Sequence, residues 1–170
     1  MPVSRSQGLE TYIQKGIVHD EKTAEEYILH KLKWNLAYTE LLAVRLAYEY
    51  AVESGLDVRG VYPVKMAENF TLTFSTPGYY NKRMLRLAKR KRDASKKMGS
   101  RFVKTVEKLE LDFVQDGIFH AYVESRRGKV MNHCCVYGVF CGALGIDLEN
   151  VLAHYLYGQT SAMVTNCVKT

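Results

Sequence analysis

The sequence predicts an all-α fold, a single-domain helical bundle over residues 1–170. Only three prolines occur, at positions 2, 63 and 77, so long helices are permitted almost everywhere. Apolar side chains recur with a helical period of about 3.6 residues before Gly55 and after Pro77. There is no internal repeat and no alternation of strands with helices, and 170 residues are about the length of one domain.

The N-terminal third predicts a short helix followed by a long one. Glycines bracket the first helix, between Gly8 and Gly16. Asp20 is placed to cap the second, and acidic residues follow it in the first turns, where the helix dipole favours them. Apolar positions then continue to Ala51. The pattern leaves open whether a kink between 35 and 39 divides this stretch into two helices.

The middle of the chain is predicted to be an irregular, insert-like stretch at about 55–76, because Gly55, Gly60 and Pro63 interrupt any regular pattern. A long basic helix is predicted from about Gly78 to Leu109. An amphipathic helix follows at about 112–124.

Two helices are predicted at the C-terminus, at 133–144 and 147–169. The segment 125–129 is a loop that precedes them. Gly145 is placed to end the first of the two in the left-handed conformation, and Asp147 to cap the second.

The basic run is the first candidate site. Nine Lys or Arg and one acid, Asp93, lie between Lys82 and Lys97. Three interpretations are open: a solvated helix face, a docking face for an acidic protein, and a nucleic-acid-binding module. Few aromatic residues are interleaved with the charges, which disfavours nucleic acid.

The cysteines and histidines give no clear metal site. Cys134, Cys135, Cys141 and Cys167 lack the paired spacing of tetrahedral sites, and neighbouring helical positions point about 100° apart. Reduced thiols are the preferred interpretation, with a transient nickel contact as the alternative. No resident metal or other cofactor is predicted.

Catalysis has no support in the sequence. The chain contains no phosphate-binding loop of the Gly-x-x-x-x-Gly-Lys-Ser/Thr type, no Gly-x-Gly-x-x-Gly and no Gly-x-Ser-x-Gly. The expectation is therefore a protein that is not an enzyme and has no catalytic residue.

Localisation follows from two further features. No apolar run approaches the roughly 20 residues that span a bilayer, and the N-terminus lacks the apolar core of a secretory signal. A cytoplasmic protein without a membrane partner is expected.

The last helix has two faces on a helical wheel. The residues predicted to face the core are Leu152, Tyr155, Leu156, Ala162, Met163 and Cys167. The opposite arc carries little charge and consists of His154, Tyr157, Gly158, Ser161, Thr165 and Lys169. Low charge together with a tyrosine is typical of partner surfaces; burial under a neighbouring helix is the open alternative.

Motifs spread over most of the chain resemble the UreF family of urease accessory proteins. They are Gly8-Leu9-Glu10 with Tyr12, Gly16 and Val18, Tyr38-Thr39-Glu40-Leu41, Arg92-x-x-Ser95-x-x-x-Gly99-x-x-Phe102, His133 with Tyr137-Gly138, and Leu144-Gly145-Ile146-Asp147-Leu148. Family members also carry segments before and after these motifs, so the chain is expected to be a UreF core clipped at both ends.

The resemblance implies a dimeric all-α scaffold that bridges UreD (also called UreH) and the GTPase UreG, and so helps to deliver nickel to apo-urease. Nickel would be handled by the assembled complex, and nucleic acid is not an expected partner. Gly99 and Gly138 are expected to be close-packing positions. The motif residues carried over are Gly8, Leu9, Arg92, Ser95, Gly99, His133, Tyr137, Gly138 and Gly145. The residues predicted to contact a partner are Glu10, Tyr12, His154, Tyr157, Ser161 and Lys169.

Overall fold

The computed structural model describes residues 9–53, 82–109, 111, 117–129 and 131–169, and the side chains of all of these except residues 10, 82–92 and 169. Helices account for all of the regular secondary structure in these ranges, which confirms the all-α prediction. In chain order they are α1 (Leu9–Gln14), α2 (Glu21–Lys31), a π-helical segment (Leu32–Leu41), α3 (Leu42–Glu53), α4 (Lys82–Glu107), α5 (Ile118–Ser125), α6 (His133–Ala143) and α7 (Leu148–Lys169). The stretches predicted at 55–76, 78–81 and 112–116 lie outside the described residues.

Local signals determine where the first helices begin and end. Gly16 has φ +67°, and its N–H and that of Ile17 donate to Ile13 O and Tyr12 O, both at 2.9 Å. This pair of bonds is the Schellman ending, which glycine adopts without strain. Asp20 then caps α2 by accepting from the Thr23 N–H at 2.8 Å, as predicted.

Residues 35–39, where the sequence does not decide whether the helix kinks, lie within an unbroken π-helical segment. It joins α2 to α3, and the three run continuously from residue 21 to 53. The Thr39 hydroxyl donates to Asn35 O at 2.8 Å, and Leu36 and Thr39 are buried. A π-helix has more residues per turn than an α-helix, so the positions that share a face change here. This change explains why α-helical periodicity could not describe these residues.

The centre of the core is a close pairing of α3 with α6. Ala47 and Ala51 are buried on α3, and Gly138 and Gly142 face them from α6. A Cβ atom at Gly138 would collide with the Val44 carbonyl oxygen, and one at Gly142 would lie 2.8 Å from the Ala51 Cβ. The two backbones therefore approach more closely than larger side chains would allow.

The other helices add side chains around this pair. Helix α4 supplies Val103 and Val106, and α5 supplies Phe119 and Tyr122. Gly99 brings α4 against the residues that lead into α6, because a Cβ atom there would collide with the Met131 carbonyl oxygen. The core is thus assembled around α6, which contributes cysteines and valines on almost every side.

Replacing Gly138 with alanine is expected to lower the free energy of unfolding by about 1–3 kcal/mol, because the added methyl overpacks the α3–α6 contact. The measurement is chemical denaturation at neutral pH. Gly158→Ala is the matched control, since a Cβ atom there meets nothing within 4 Å. That variant is expected to gain about 0.5–1 kcal/mol from the better helix former. Equal effects of the two substitutions would contradict the close packing.

Candidate partner-binding surface

Helix α7 is oriented by a turn that the local sequence encodes. Gly145 has φ +67°, and the N–H groups of Gly145 and Ile146 donate to Gly142 O at 3.1 Å and Cys141 O at 3.2 Å. Helix α6 thus ends in the same Schellman geometry as α1. Asp147 Oδ2 then accepts from the Glu149 N–H at 3.0 Å and the Asn150 N–H at 3.3 Å, which caps α7.

The inner face of α7 is held by buried side chains along its length. Val151, Tyr155 and Met163 are buried, while Leu152, Leu156 and Cys167 are half-buried. The assignment of Ala162 to the core was wrong, because this residue is exposed. It lies about 20° from Tyr155 on the helical wheel but about 100° from Met163, so the packed face turns along α7 between these two buried residues and leaves Ala162 exposed.

One hydrogen bond ties α7 to the long helix formed by α2, the π-helical segment and α3. The Tyr155 hydroxyl donates to Glu40 Oε2 at 3.0 Å. Further along α7, Cys167 interacts electrostatically with Tyr27. Glu40 comes after Tyr27 in the sequence, whereas Tyr155 comes before Cys167, so α7 runs antiparallel to the long helix.

A cluster of aromatic rings surrounds this bond. The ring of His133 stacks on Tyr155 at 6.0 Å and on Tyr137 at 6.2 Å between centroids, and Phe102 meets it edge-on at 5.8 Å. Burial lowers the pKa of His133 below its ordinary value, and the Glu40 carboxylate opposes this shift. Burial also raises the pKa of Tyr155 well above its usual range, with Glu40 adding to the effect. Both rings are therefore neutral at pH 7.

The outward-facing residues of α7 form a stripe, hereafter the α7 stripe, consisting of His154, Tyr157, Gly158, Ser161, Thr165 and Val168. All six are exposed, and Tyr157 is 73% exposed. The positions repeat at three- and four-residue intervals, which places them on one side of the helix. No residue of the α7 stripe carries a formal charge with histidine neutral.

The other residues predicted to contact a partner are not all at this surface. The side chains of Glu10 and Lys169 lie outside the described set. Tyr12 is partly exposed and its ring lies 5.0 Å from that of Tyr27, which faces the Cys167 end of α7. Tyr157 is ten residues from Cys167, a rise of about 15 Å. The structure thus groups His154, Tyr157 and Ser161 and separates Tyr12 from them.

The motif residues mostly lie inside the fold. Leu9 is buried in α1. The Ser95 hydroxyl oxygen accepts from the His133 N–H at 3.4 Å and so connects α4 to the start of α6. Gly8 and the Arg92 side chain are outside the described residues. The partnership of Glu40 with Tyr155 was missed, because no sequence spacing relates residues 115 positions apart.

The cysteines are free thiols. Cys134, Cys135 and Cys141 are buried and Cys167 is half-buried. Burial raises the pKa of Cys141 and of Cys167. No group of three or more His, Cys, Asp or Glu in the described parts of the chain is arranged to hold a metal ion. The same residues include no helix long and apolar enough to cross a membrane.

The comparison with protein families supplies the context for this surface. The model of the UreF family matches residues 18–170, which covers most of the chain and every helix from α2 onwards. The chain belongs to the UreF family. It is thereby related to urease accessory proteins, as the sequence motifs predicted. In this UreF-family chain, the matched region includes both the α7 stripe and the cluster around His133.

Tyr155→Phe is expected to lower the free energy of unfolding of this UreF-family chain by about 1.5–3 kcal/mol. It removes the donor from a hydrogen bond to a carboxylate. A double-mutant cycle with Glu40→Gln in chemical denaturation is the measurement. If the two effects simply add, the bond makes no contribution of its own and the prediction fails.

Stability is expected to fall as the pH drops below 6.5, the ordinary pKa of histidine. The pKa of His133 is lower in the folded chain, so the unfolded chain takes up the proton first and unfolding is favoured. Urea midpoints measured from pH 7.5 to 5.5 test this.

His133→Gln should flatten that pH dependence, whereas His120→Gln should leave it unchanged, because His120 is exposed on α5. Identical slopes for the two variants would exclude His133 as the source.

Proposed function

We propose that this UreF-family chain is a non-catalytic scaffold of urease maturation, which bridges UreD/UreH and the GTPase UreG so that nickel reaches apo-urease. Membership of the UreF family supports a role in urease maturation, and the α7 stripe supports a role in binding other proteins. The proposal assigns no catalytic residue to the chain and treats nickel as cargo of the assembled complex. It includes a cytoplasmic homodimer as the working form.

The observation that carries the proposal is the exposed, uncharged stripe on a helix whose opposite face is anchored. Tyr157 is 73% exposed, although a tyrosine has a large apolar area that could be buried. Tyrosine is enriched among residues that dominate binding energy, and charged residues are depleted from interface centres. The stripe is therefore suited to desolvation by a partner.

The anchoring makes this surface rigid before binding. The N-cap at Asp147, the Tyr155–Glu40 hydrogen bond and the buried Met163 hold α7 at its start, middle and second half. A surface already in its bound conformation loses less conformational entropy on association, so more of the contact energy appears as affinity. We assign Tyr157 as the central contact, with His154 and Ser161 beside it and Lys169 beyond.

Tyr157→Ala is expected to weaken capture of UreG or UreD/UreH by about 2 kcal/mol or more, with an unchanged melting temperature. Met163→Ala is expected to lower stability by about 2–5 kcal/mol, because its side chain is only 1% exposed. Each variant is examined by thermal melting and by pull-down with purified UreG and UreD/UreH.

Tyr38→Ala is the matched control for this experiment. Tyr38 is 61% exposed but lies on the π-helical segment, so its loss should leave capture intact if the α7 stripe is the contact. Normal capture of both partners by Tyr157→Ala would place the interface elsewhere. An early melt of Tyr157→Ala would mean that the residue supports the fold instead.

A further inference from the structure

Helix α4 carries a second surface that the proposed function does not use. Lys97, Arg101, Lys104 and Lys108 are all exposed. Their spacing of four, three and four residues places them on one stripe of α4 and the turn that follows it, about 16 Å long. We call these four residues the basic stripe. Towards the N-terminus, the backbone register passes Asp93 and then reaches positions 83, 86 and 90, which are arginines.

The charges of the basic stripe have no acidic partner within the described part of the chain. Ion pairs there join Arg45 to Glu49, Lys96 to Asp93 and Arg127 to Glu124, and a longer contact joins His19 to Asp20. None of them involves the stripe. The core-facing residues of α4, Gly99 and Val103 among them, lie on the opposite side of the helix. The stripe thus points away from the bundle, and none of its charges forms an ion pair with a described residue.

An apolar flank runs beside the basic stripe. Met98 is 42% and Leu109 56% exposed. Met98 lies on α4 with the exposed Thr105 seven residues further along the same face, and Leu109 lies in the turn that follows the end of the helix at Glu107. At about 100° per residue this flank lies roughly a quarter turn from the stripe. A row of positive charge is therefore present beside two exposed apolar side chains, one on α4 and one in the turn after it.

We propose that this face of α4 binds an acidic amphipathic helix of a protein partner. Its carboxylates would pair with the basic stripe, and its apolar residues would cover Met98 and Leu109. Carboxylates at the same three- and four-residue spacing match the charges, which sets register and orientation. The inference does not rest on the proposed function, because it concerns another helix and another kind of contact.

The apolar flank distinguishes this partner from a nucleic acid. Lys and Arg alone are enough to bind phosphates favourably. Burying Met98 and Leu109, in contrast, is favourable only against another apolar surface. Single-stranded nucleic acid would in addition need aromatic side chains on which bases stack. The aromatic residue described on α4, Phe102, is instead engaged with His133 and Phe140 in the core.

The test uses the full chain and a fluorescein-labelled helical peptide of about 20 residues, long enough to form helix. The peptide carries Glu at the spacing of the basic stripe and Leu along one flank. Anisotropy gives its Kd. The stripe variant is Lys97→Glu/Arg101→Glu/Lys104→Glu. The control, Lys15→Glu/Lys22→Glu/Lys33→Glu, reverses the charge of three exposed lysines outside the basic stripe. The formal charge of both variants therefore falls from +6 to zero.

The stripe variant is expected to bind the peptide about tenfold more weakly, and the control variant within about twofold of wild type. Met98→Ser/Leu109→Ser should lose about threefold with the charges intact. Thermal melts check folding, and the milder triple Lys97→Ala/Arg101→Ala/Lys104→Ala replaces the reversal if that variant unfolds.

Three outcomes would overturn the proposal. The first is no peptide binding by the wild-type chain. The second is an equal loss in the stripe and control variants, since net charge alone would then be responsible. The third is that a DNA duplex or single-stranded oligonucleotide of about 20 nucleotides binds more tightly than the peptide, with a Kd that the flank substitutions leave unchanged. That result would identify a nucleic-acid surface.

Discussion

The close approach of α3 and α6 is the constraint on which the rest of the structure depends. Gly138 and Gly142 allow the two backbones to meet where any side chain would separate them. With that contact made, the remaining faces of α6 serve as packing surfaces for α4, α5 and α7. A residue larger than glycine at these positions would move α6, and every helix that packs on it would have to move as well.

The cluster around His133 connects this core to the candidate surface. His133 starts α6, donates its backbone N–H to Ser95 of α4, and stacks on Tyr155 of α7, which in turn donates to Glu40. Its polar groups lie among aromatic rings, where an unpaired group would be costly. The cluster therefore fixes how α7 is rotated, and rotation decides that Tyr157 faces solvent while Met163 is buried.

The two candidate surfaces differ in chemistry because they lie on helices of different composition. The α7 stripe is uncharged and centred on one exposed tyrosine, which suits a desolvated interface with a specific partner. The basic stripe on α4 is charged and bordered by Met98 and Leu109, which suits a partner that supplies carboxylates and an apolar face. Surfaces of such different chemistry do not compete for the same ligand.

The sequence by itself determined the helical class, the endings at Gly16 and Gly145, the caps at Asp20 and Asp147, and the family, because each depends on neighbouring residues or a local motif. It also predicted most of the two faces of α7 from helical periodicity. Only the tertiary structure decided that Ala162 is exposed, that residues 32–41 are π-helical, and that Glu40 meets Tyr155. Those features depend on which helix packs where, and contacts between residues far apart in the chain leave no periodic signal in it.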